Sequence, residues 1–188
     1  MTSFFSEEEL SKLGLKNYGK NVLISKNACI YGASNISIGN NVRIDDFCIL
    51  SGKIEIKNYV HISAGVYLFG GDAGIYINNY CGISSKSIVY AATDDYSGNC
   101  MVNSTIPDEY RNVLSGPVVL NDLVQIGAGC VVLPNTTLKK GSAIGAMSLV
   151  NKDVPELEIH AGIPAKFIKQ RSNNIFELVE KFENSKIQ

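Results

Sequence analysis

An all-β fold, a parallel β-solenoid with a helix at each end, is the class that this 188-residue sequence predicts. Two runs of aliphatic residues at a six-residue step carry the reading: Ile38, Ile44, Leu50, Ile56, Ile62 and Leu68, then Leu120, Ile126, Val132, Leu138, Ile144 and Val150. A companion register two residues earlier holds small or branched residues, in the second run Val118, Val124, Cys130, Thr136, Ser142 and Ser148. A period of six fits neither a helix at 3.6 nor a sustained strand alternation of two. If each hexad makes one short strand and one corner, every aliphatic residue points inward, and stacked coils bury them in one column.

The elements follow in order. Ser6 with Glu9 three residues later forms a capping box, Leu10 and Leu13 give a small apolar face, and Gly14 supplies the stop of a short N-terminal helix. The coil begins near Val22, with Ile24 and Ile30 six apart. An eight-residue step to Ile38 then implies a small corner insertion around Gly32-Ser34. After Leu68 the next inward residue is Ile77, with the extra residues near Gly70-Gly71-Asp72, and Ile83 and Val89 restore the step. From Asp94 to Gly116 the repeat vanishes into a polar, aromatic stretch holding Tyr96, Asn99, Asn103, Pro107 and Tyr110. An extruded loop of that length in a compact domain points to function. Ile175, Leu178, Val179 and Phe182 at i, i+3, i+4, i+7 spacing predict an amphipathic C-terminal helix that caps the open end of the coil. The expected organisation is a helical cap over 1–19, one repeat domain over 20–170 with its loop at 94–116, and a terminal helix over 171–188.

Composition narrows the function classes. A hydrophobic fraction of 45% and a formal net charge of -1 suit a globular protein and give no footprint for nucleic-acid binding. No apolar segment approaches the roughly 20 residues that span a bilayer, and the acidic Ser6-Glu7-Glu8-Glu9 is unlike a signal peptide, so a cytoplasmic location is expected. The five cysteines lack metal-ligand spacing; Cys48, Cys81 and Cys130 occupy the companion register, and the set reads as buried free thiols. With only two histidines, 99 positions apart by their numbers 61 and 160, no metal site is expected.

The ordered strings Ile126-Gly127-Ala128-Gly129, Ile144-Gly145-Ala146, Val150-Asn151-Lys152-Asp153-Val154-Pro155 and Ala161-Gly162-Ile163-Pro164-Ala165-Lys166 resemble the hexapeptide-repeat acyltransferases over roughly residues 20 to 170. Their order is similar to that of galactoside and maltose acetyltransferases and of relatives in surface-polysaccharide synthesis. The resemblance implies a left-handed parallel β-helix, a homotrimer, and acetyl-CoA as acyl donor to a sugar or nucleotide-sugar. Physically, Ala128 and Ala146 let an extended pantetheine arm lie close to the backbone, and Lys152, Lys166 and Lys169 suit the polyanionic nucleotide end. With Lys86, Gly129 and Asn151 they make up the candidate coenzyme set.

In the galactoside-type enzymes a histidine closes the hexad before the loop and acts as base. Here that place is Asp94, followed by Asp95. A hydroxyl nucleophile is best served by a base near neutral pKa. Two adjacent acids could raise one another if both face a desolvated groove, and an amine acceptor would need less help. Some hexapeptide enzymes acting on nucleotide-linked amino sugars resemble this chain in lacking the histidine. His61 precedes the inward Ile62 and so faces outward, about one and two-thirds turns from Asp94, roughly 8 Å along the axis at ordinary strand spacing. The two can meet only between subunits, so Asp94, Asp95 and His61 form the candidate catalytic set across an interface. His160 reads as structural, and Asp45, Asp46 and Asp72 as outward polar candidates for sugar hydroxyls. The competing reading keeps the fold without chemistry, as a hexapeptide-repeat binding or assembly protein.

Overall fold

A computed structural model describes residues 3–186. The coil rises as a three-sided prism, because each hexad contributes a strand of two or three residues before the chain turns. One side stacks the strands at 17–18, 36–38, 54–56, 75–77, 118–120 and 136–138, all parallel. A second stacks 22–24, 42–44, 61–62, 82–83, 125–126 and 143–144. The third stacks 29–31, 49–51, 67–69, 88–90, 131–132 and 149–150. These are called the first, second and third faces.

The six-residue step holds within each run. Ile44, Leu50, Ile62, Leu68, Leu120, Val132 and Leu138 are each 0% exposed, and the companions Val118, Val124, Cys130 and Ser142 are equally buried. Each enclosed Leu or Ile contributes about 1.5–3 kcal/mol, and the column has no break from Val22 to Val154. Three thiols join this column and are inert: burial pushes Cys81 up to about 12 and raises Cys48 and Cys130. Cys29 is exposed and Cys100 half-buried, so the expectation of a wholly buried set fails for the two cysteines outside the companion register.

Two of the corners use a repeated left-handed residue. Between the first and second faces it is Asn21, Asn41, Tyr59, Tyr80, Leu123 and Gly141, and between the second and third it is Phe47, Gly65, Lys86, Gly129 and Met147. A ladder of Asn and Asp side chains runs along the former corner. Asn58 Oδ1 accepts from the Asn40 backbone N–H at 2.8 Å, Asn79 Oδ1 accepts from that of Asn58 at 3.1 Å, and Asp122 Oδ1 accepts from that of Asn79 at 2.9 Å. The side-chain oxygen of each rung, amide or carboxylate, thereby satisfies a donor that a bare corner would leave unpaired.

The remaining corner, from third face back to first, holds every departure from the hexad. It carries a 3-10 turn at Ala33–Asn35, a widening from 70 to 74 that offsets the register against Gly52, and the long loop. The loop springs from an antiparallel ribbon in which Ala92–Asp94 pairs with Val113–Ser115.

Both terminal helices form, but the second does not cap the open end of the coil as expected: its apolar side packs back along the first-to-second corner, where the stacked rings of Tyr59 and Tyr80 receive it. Helix α1, Glu7–Ser11, has the reciprocal Ser6–Glu9 capping box. Helix α2, Asn174–Ser185, lays Phe182 edge-on against Tyr59 at 5.4 Å between ring centroids, and Tyr59 itself stacks on Tyr80. One element was not foreseen: Glu158–Ala161 turns back antiparallel to Lys166–Gln170 and closes the last coil as a hairpin.

Candidate active site

Three outward regions carry the residues singled out by sequence. The first is the corner between the second and third faces, where Ser85-Lys86, Ala128-Gly129 and Ala146-Met147 stack in successive rungs. Gly129 N–H donates to Ser85 O at 3.0 Å, and Met147 N–H donates to Ala128 O at 2.8 Å. Ala128 and Ala146 are exposed, and a side chain on Gly127 would stand 2.6 Å from the Ala146 backbone nitrogen. The coil is therefore bare and closely packed there, as a groove for an extended arm requires.

Asn151 and Lys152 lie elsewhere, at the third-to-first corner. Asn151 lines an open groove with Thr93, Leu114, Leu133 and Pro134 under the base of the loop. Lys166 and Lys169 sit exposed on the returning hairpin strand. Within one chain the eight coenzyme candidates thus form no single groove, because the width of the third face separates the two corners.

The acidic pair divides by environment. Asp95 Oδ1 accepts from the Ser97 backbone N–H at 2.8 Å and its Oδ2 from Asn112 Nδ2 at 3.0 Å. The Ser97 N–H and the Asn112 amide hold its carboxyl below the ordinary range, which corrects the idea that the neighbours raise one another. Asp95 ties the loop's two ends together. The Asp94 carboxylate makes no hydrogen bond among the described residues and shares the ribbon face of Ala92, opposite Thr93 and Leu114.

His61 is half-exposed on the second face, and its partner is neither of these acids. Its Nε2 lies 2.8 Å from Asp45 Oδ2, while Arg43 Nε donates to Asp45 Oδ1 at 2.7 Å. Burial would raise the Asp45 carboxyl, but the hydrogen bonds from Arg43 and His61 outweigh it and hold it low. Ser63 and Ser84 continue the outward row that begins at Asp45, one per rung. Two other candidates serve the fold: His160 Nε2 lies 2.7 Å from Glu158 Oε2, and Asp46 takes a hydrogen bond from Ser25 Oγ, whereas Asp72 is exposed at the third-to-first corner. Among the described residues no group of three His, Cys, Asp or Glu side chains gathers to hold a metal.

Comparison with known proteins places this geometry. Residues 35–70 match the family model described as bacterial transferase hexapeptide (six repeats). A dTDP-4-amino-4,6-dideoxy-D-glucose acyltransferase from Escherichia coli is 44% identical over 188 residues, covering 98% of this chain and 97% of its own. The chain belongs to the hexapeptide-repeat acyltransferases. It is an acyl-CoA-dependent sugar acyltransferase, and the reading as a scaffold without chemistry gives way. The crystal structure of AntD, an N-acyltransferase from Bacillus cereus in complex with dTDP and 3-hydroxybutyryl-CoA, superposes at a TM-score of 0.98 with 50% identity, covering 100% of both chains. An S84A variant of AntD holds dTDP-4-amino-4,6-dideoxyglucose and coenzyme A at a TM-score of 0.97, again at 50% identity, covering 98% of this chain and all of AntD. D94A and D94N variants of AntD hold dTDP and coenzyme A. This hexapeptide-repeat acyltransferase carries an aspartate and a serine at those same ordinal positions. Sequence reasoning passed over Ser84; its signal was the outward row after Ile62 and Ile83, which puts Ser84 one rung from Ser63.

Proposed function

We propose that this enzyme transfers an acyl group from coenzyme A to the 4-amino group of a dTDP-linked 4-amino-4,6-dideoxyhexose, in the cytoplasm, as a step toward a surface polysaccharide. The observation that carries the reading is Asp94. It stands where galactoside-type relatives keep a histidine, and of the two adjacent acids at the base of the loop it is the one whose carboxylate makes no hydrogen bond among the described residues. An amine acceptor needs only a modest base. The amine attacks the thioester carbonyl, the C–N bond forms as the C–S bond breaks, coenzyme A leaves as its thiol, and the excess proton passes through the Asp94 carboxylate. Backbone amides at the bare corner stabilise the oxyanion.

The working unit is a homotrimer. Lys86, Ala128, Gly129 and Ala146 on one chain face Asn151, Lys152 and the loop of the next, while Lys166 and Lys169 take the coenzyme phosphates. The separation of the two corners across the third face supports this, as do the outward Ile49, Tyr67, Ile88, Val131 and Leu149 on that face. His61, already oriented by Asp45, lies on the surface that faces the neighbour's Asp94.

The test is acyl transfer to dTDP-4-amino-4,6-dideoxyglucose from acetyl-CoA and from 3-hydroxybutyryl-CoA in parallel, read by thiol release and product mass. Turnover with either donor supports the reading, and the preferred donor names the acyl class. No turnover with both, by protein that sediments as a trimer, overturns it.

A further inference from the structure

An open groove of about 620 Å³ runs along the corner between the first and second faces, and none of its lining residues is a coenzyme or catalytic candidate. One wall is the side-chain ladder of Asn40, Asn58 and Asn79, and the other is the end of α2 with Lys186. The trimer proposed above engages the other two corners and leaves this one facing outward.

The ladder wall is one-sided in its chemistry. Asn58 Oδ1 accepts from the Asn40 backbone N–H at 2.8 Å and from Asn40 Nδ2 at 3.0 Å, and Asn79 Oδ1 accepts from the backbone and side-chain nitrogens of Asn58, both at 3.1 Å. Asn79 Nδ2 donates to Asp122 Oδ1 at 3.1 Å. The lone pairs of these amide oxygens are spent on the coil, whereas each Nδ2 carries two N–H groups and uses one. The second N–H of Asn40, Asn58 and Asn79 meets no acceptor among the described residues, so the wall offers the groove one donor per rung, about 4.8 Å apart. Beyond the end of α2, Asn41 Nδ2 donates to nothing among the described residues, and Lys20 Nζ makes no ion pair there.

The opposite wall is held in place before any ligand arrives. Lys186 Nζ sits 3.9 Å from the centroid of the Tyr59 ring and 4.2 Å from that of Phe182, and it lies 2.7 Å from Glu183 Oε1. Its charge is spent on Glu183, which leaves Lys20 as the unpaired ammonium of the groove among the described residues. A wall fixed in this way costs little ordering when something binds against it.

We propose that this groove binds an acidic oligosaccharide, with a carboxylate on Lys20 and Asn41 and the ring and hydroxyl oxygens along Asn40, Asn58 and Asn79. Such a ligand is rich in acceptors, carries negative charge, and repeats once per pyranose ring, close to the rung spacing. An extended acidic peptide sets same-side carboxylates about 6.7 Å apart, out of step with the rungs. A nucleic acid strand needs open aromatic faces, and Tyr59 and Tyr80 are stacked on each other at 5.2 Å. The role, though not the binding, rests on the surface-polysaccharide reading above: a docked chain keeps the transferase beside the saccharide that its product enters.

The experiment measures, by calorimetry, binding of trigalacturonate, maltotriose, triglutamate and tripolyphosphate to the full-length enzyme and to a K20A/N41D double variant. Asn41→Asp keeps the oxygen that accepts from Asn21 Nδ2 at 2.9 Å, and aspartate tolerates the left-handed φ of 55° at that residue. The fold is thereby kept while a free donor becomes a negative oxygen. Trigalacturonate should bind wild type about tenfold or more tighter than maltotriose, and the double variant should lose about tenfold or more of that affinity with acyl transfer unchanged. If the double variant melts lower, Lys20→Ala alone, at an exposed position, must still weaken trigalacturonate severalfold. No binding of trigalacturonate by wild type overturns the site, as does equal binding by the variants, and neither result touches the acceptor reading, which turnover tests separately. Triglutamate or tripolyphosphate bound as tightly as trigalacturonate overturns the saccharide assignment, because charge alone then accounts for binding.

Discussion

His61 Nε2 and Asp45 Oδ2 lie 2.8 Å apart on the second face, with Arg43 occupying the other oxygen of the same carboxylate. The carboxyl is held below its ordinary value, so folding favours its ionised form. That contribution is complete above the unfolded pKa of about 3.9 and drains away as pH falls through the folded value. Thermal melts of wild type and Asp45→Asn should therefore differ at pH 7, begin to draw together only below about pH 4, and converge once pH has fallen through the lowered folded value. A gap that persists unchanged into acid would show that the pair contributes no ionic stability.

Asp94→Asn should cost about 10²- to 10⁴-fold in kcat, the usual range for losing a positioned acid–base group. Affinity for dTDP and coenzyme A should survive, since D94A and D94N variants of AntD hold both. Steady-state kinetics alongside calorimetry would separate these terms. Asp95→Asn is the control: it loosens the loop anchor at Asn112 and should raise KM for the sugar more than it lowers kcat.

Gly127→Ala places a methyl 2.6 Å from the Ala146 nitrogen, a main-chain atom that cannot swing aside. The rung must shift, so coenzyme A affinity should fall together with Tm. A variant with lowered Tm and normal coenzyme A binding would detach this corner from the donor.

In the core, Leu68→Ala opens a cavity in a 0%-exposed position between Leu50 and Val89 of the adjoining rungs. The expected loss is about 2–5 kcal/mol by urea unfolding. Ala91→Gly, at the foot of the loop, should cost far less.

How much of this was legible in the sequence depends on whether a feature repeats. Leu120 through Val150 could be placed inward because each hexad says the same thing about its neighbours, and Asp94 could be found because it follows the last hexad before the gap. The hairpin from Glu158 to Gln170 was hidden: its partner strand lies behind an Ile163-Pro164 turn and obeys no six-residue period. The Asp45–His61 pair escaped for another reason. Those residues sit 16 apart on neighbouring strands in which Arg43, not Asp45, stands directly opposite His61, so the pair is a diagonal one that matching rung to rung does not pick out. Ser84 looked like one polar corner residue among many until its row was aligned with Asp45 and Ser63.

Confining every insertion to one edge of a three-sided column has an evolutionary consequence. The hydrophobic column closes on itself rung by rung, so lengthening the chain at that edge leaves the packing of the other two faces untouched. Acceptor recognition can then drift by adding or trimming residues beside Gly52, Gly71 or Asp94, while the donor edge keeps its geometry. A lineage built on this plan could exchange one nucleotide-linked sugar for another without passing through an unfolded ancestor.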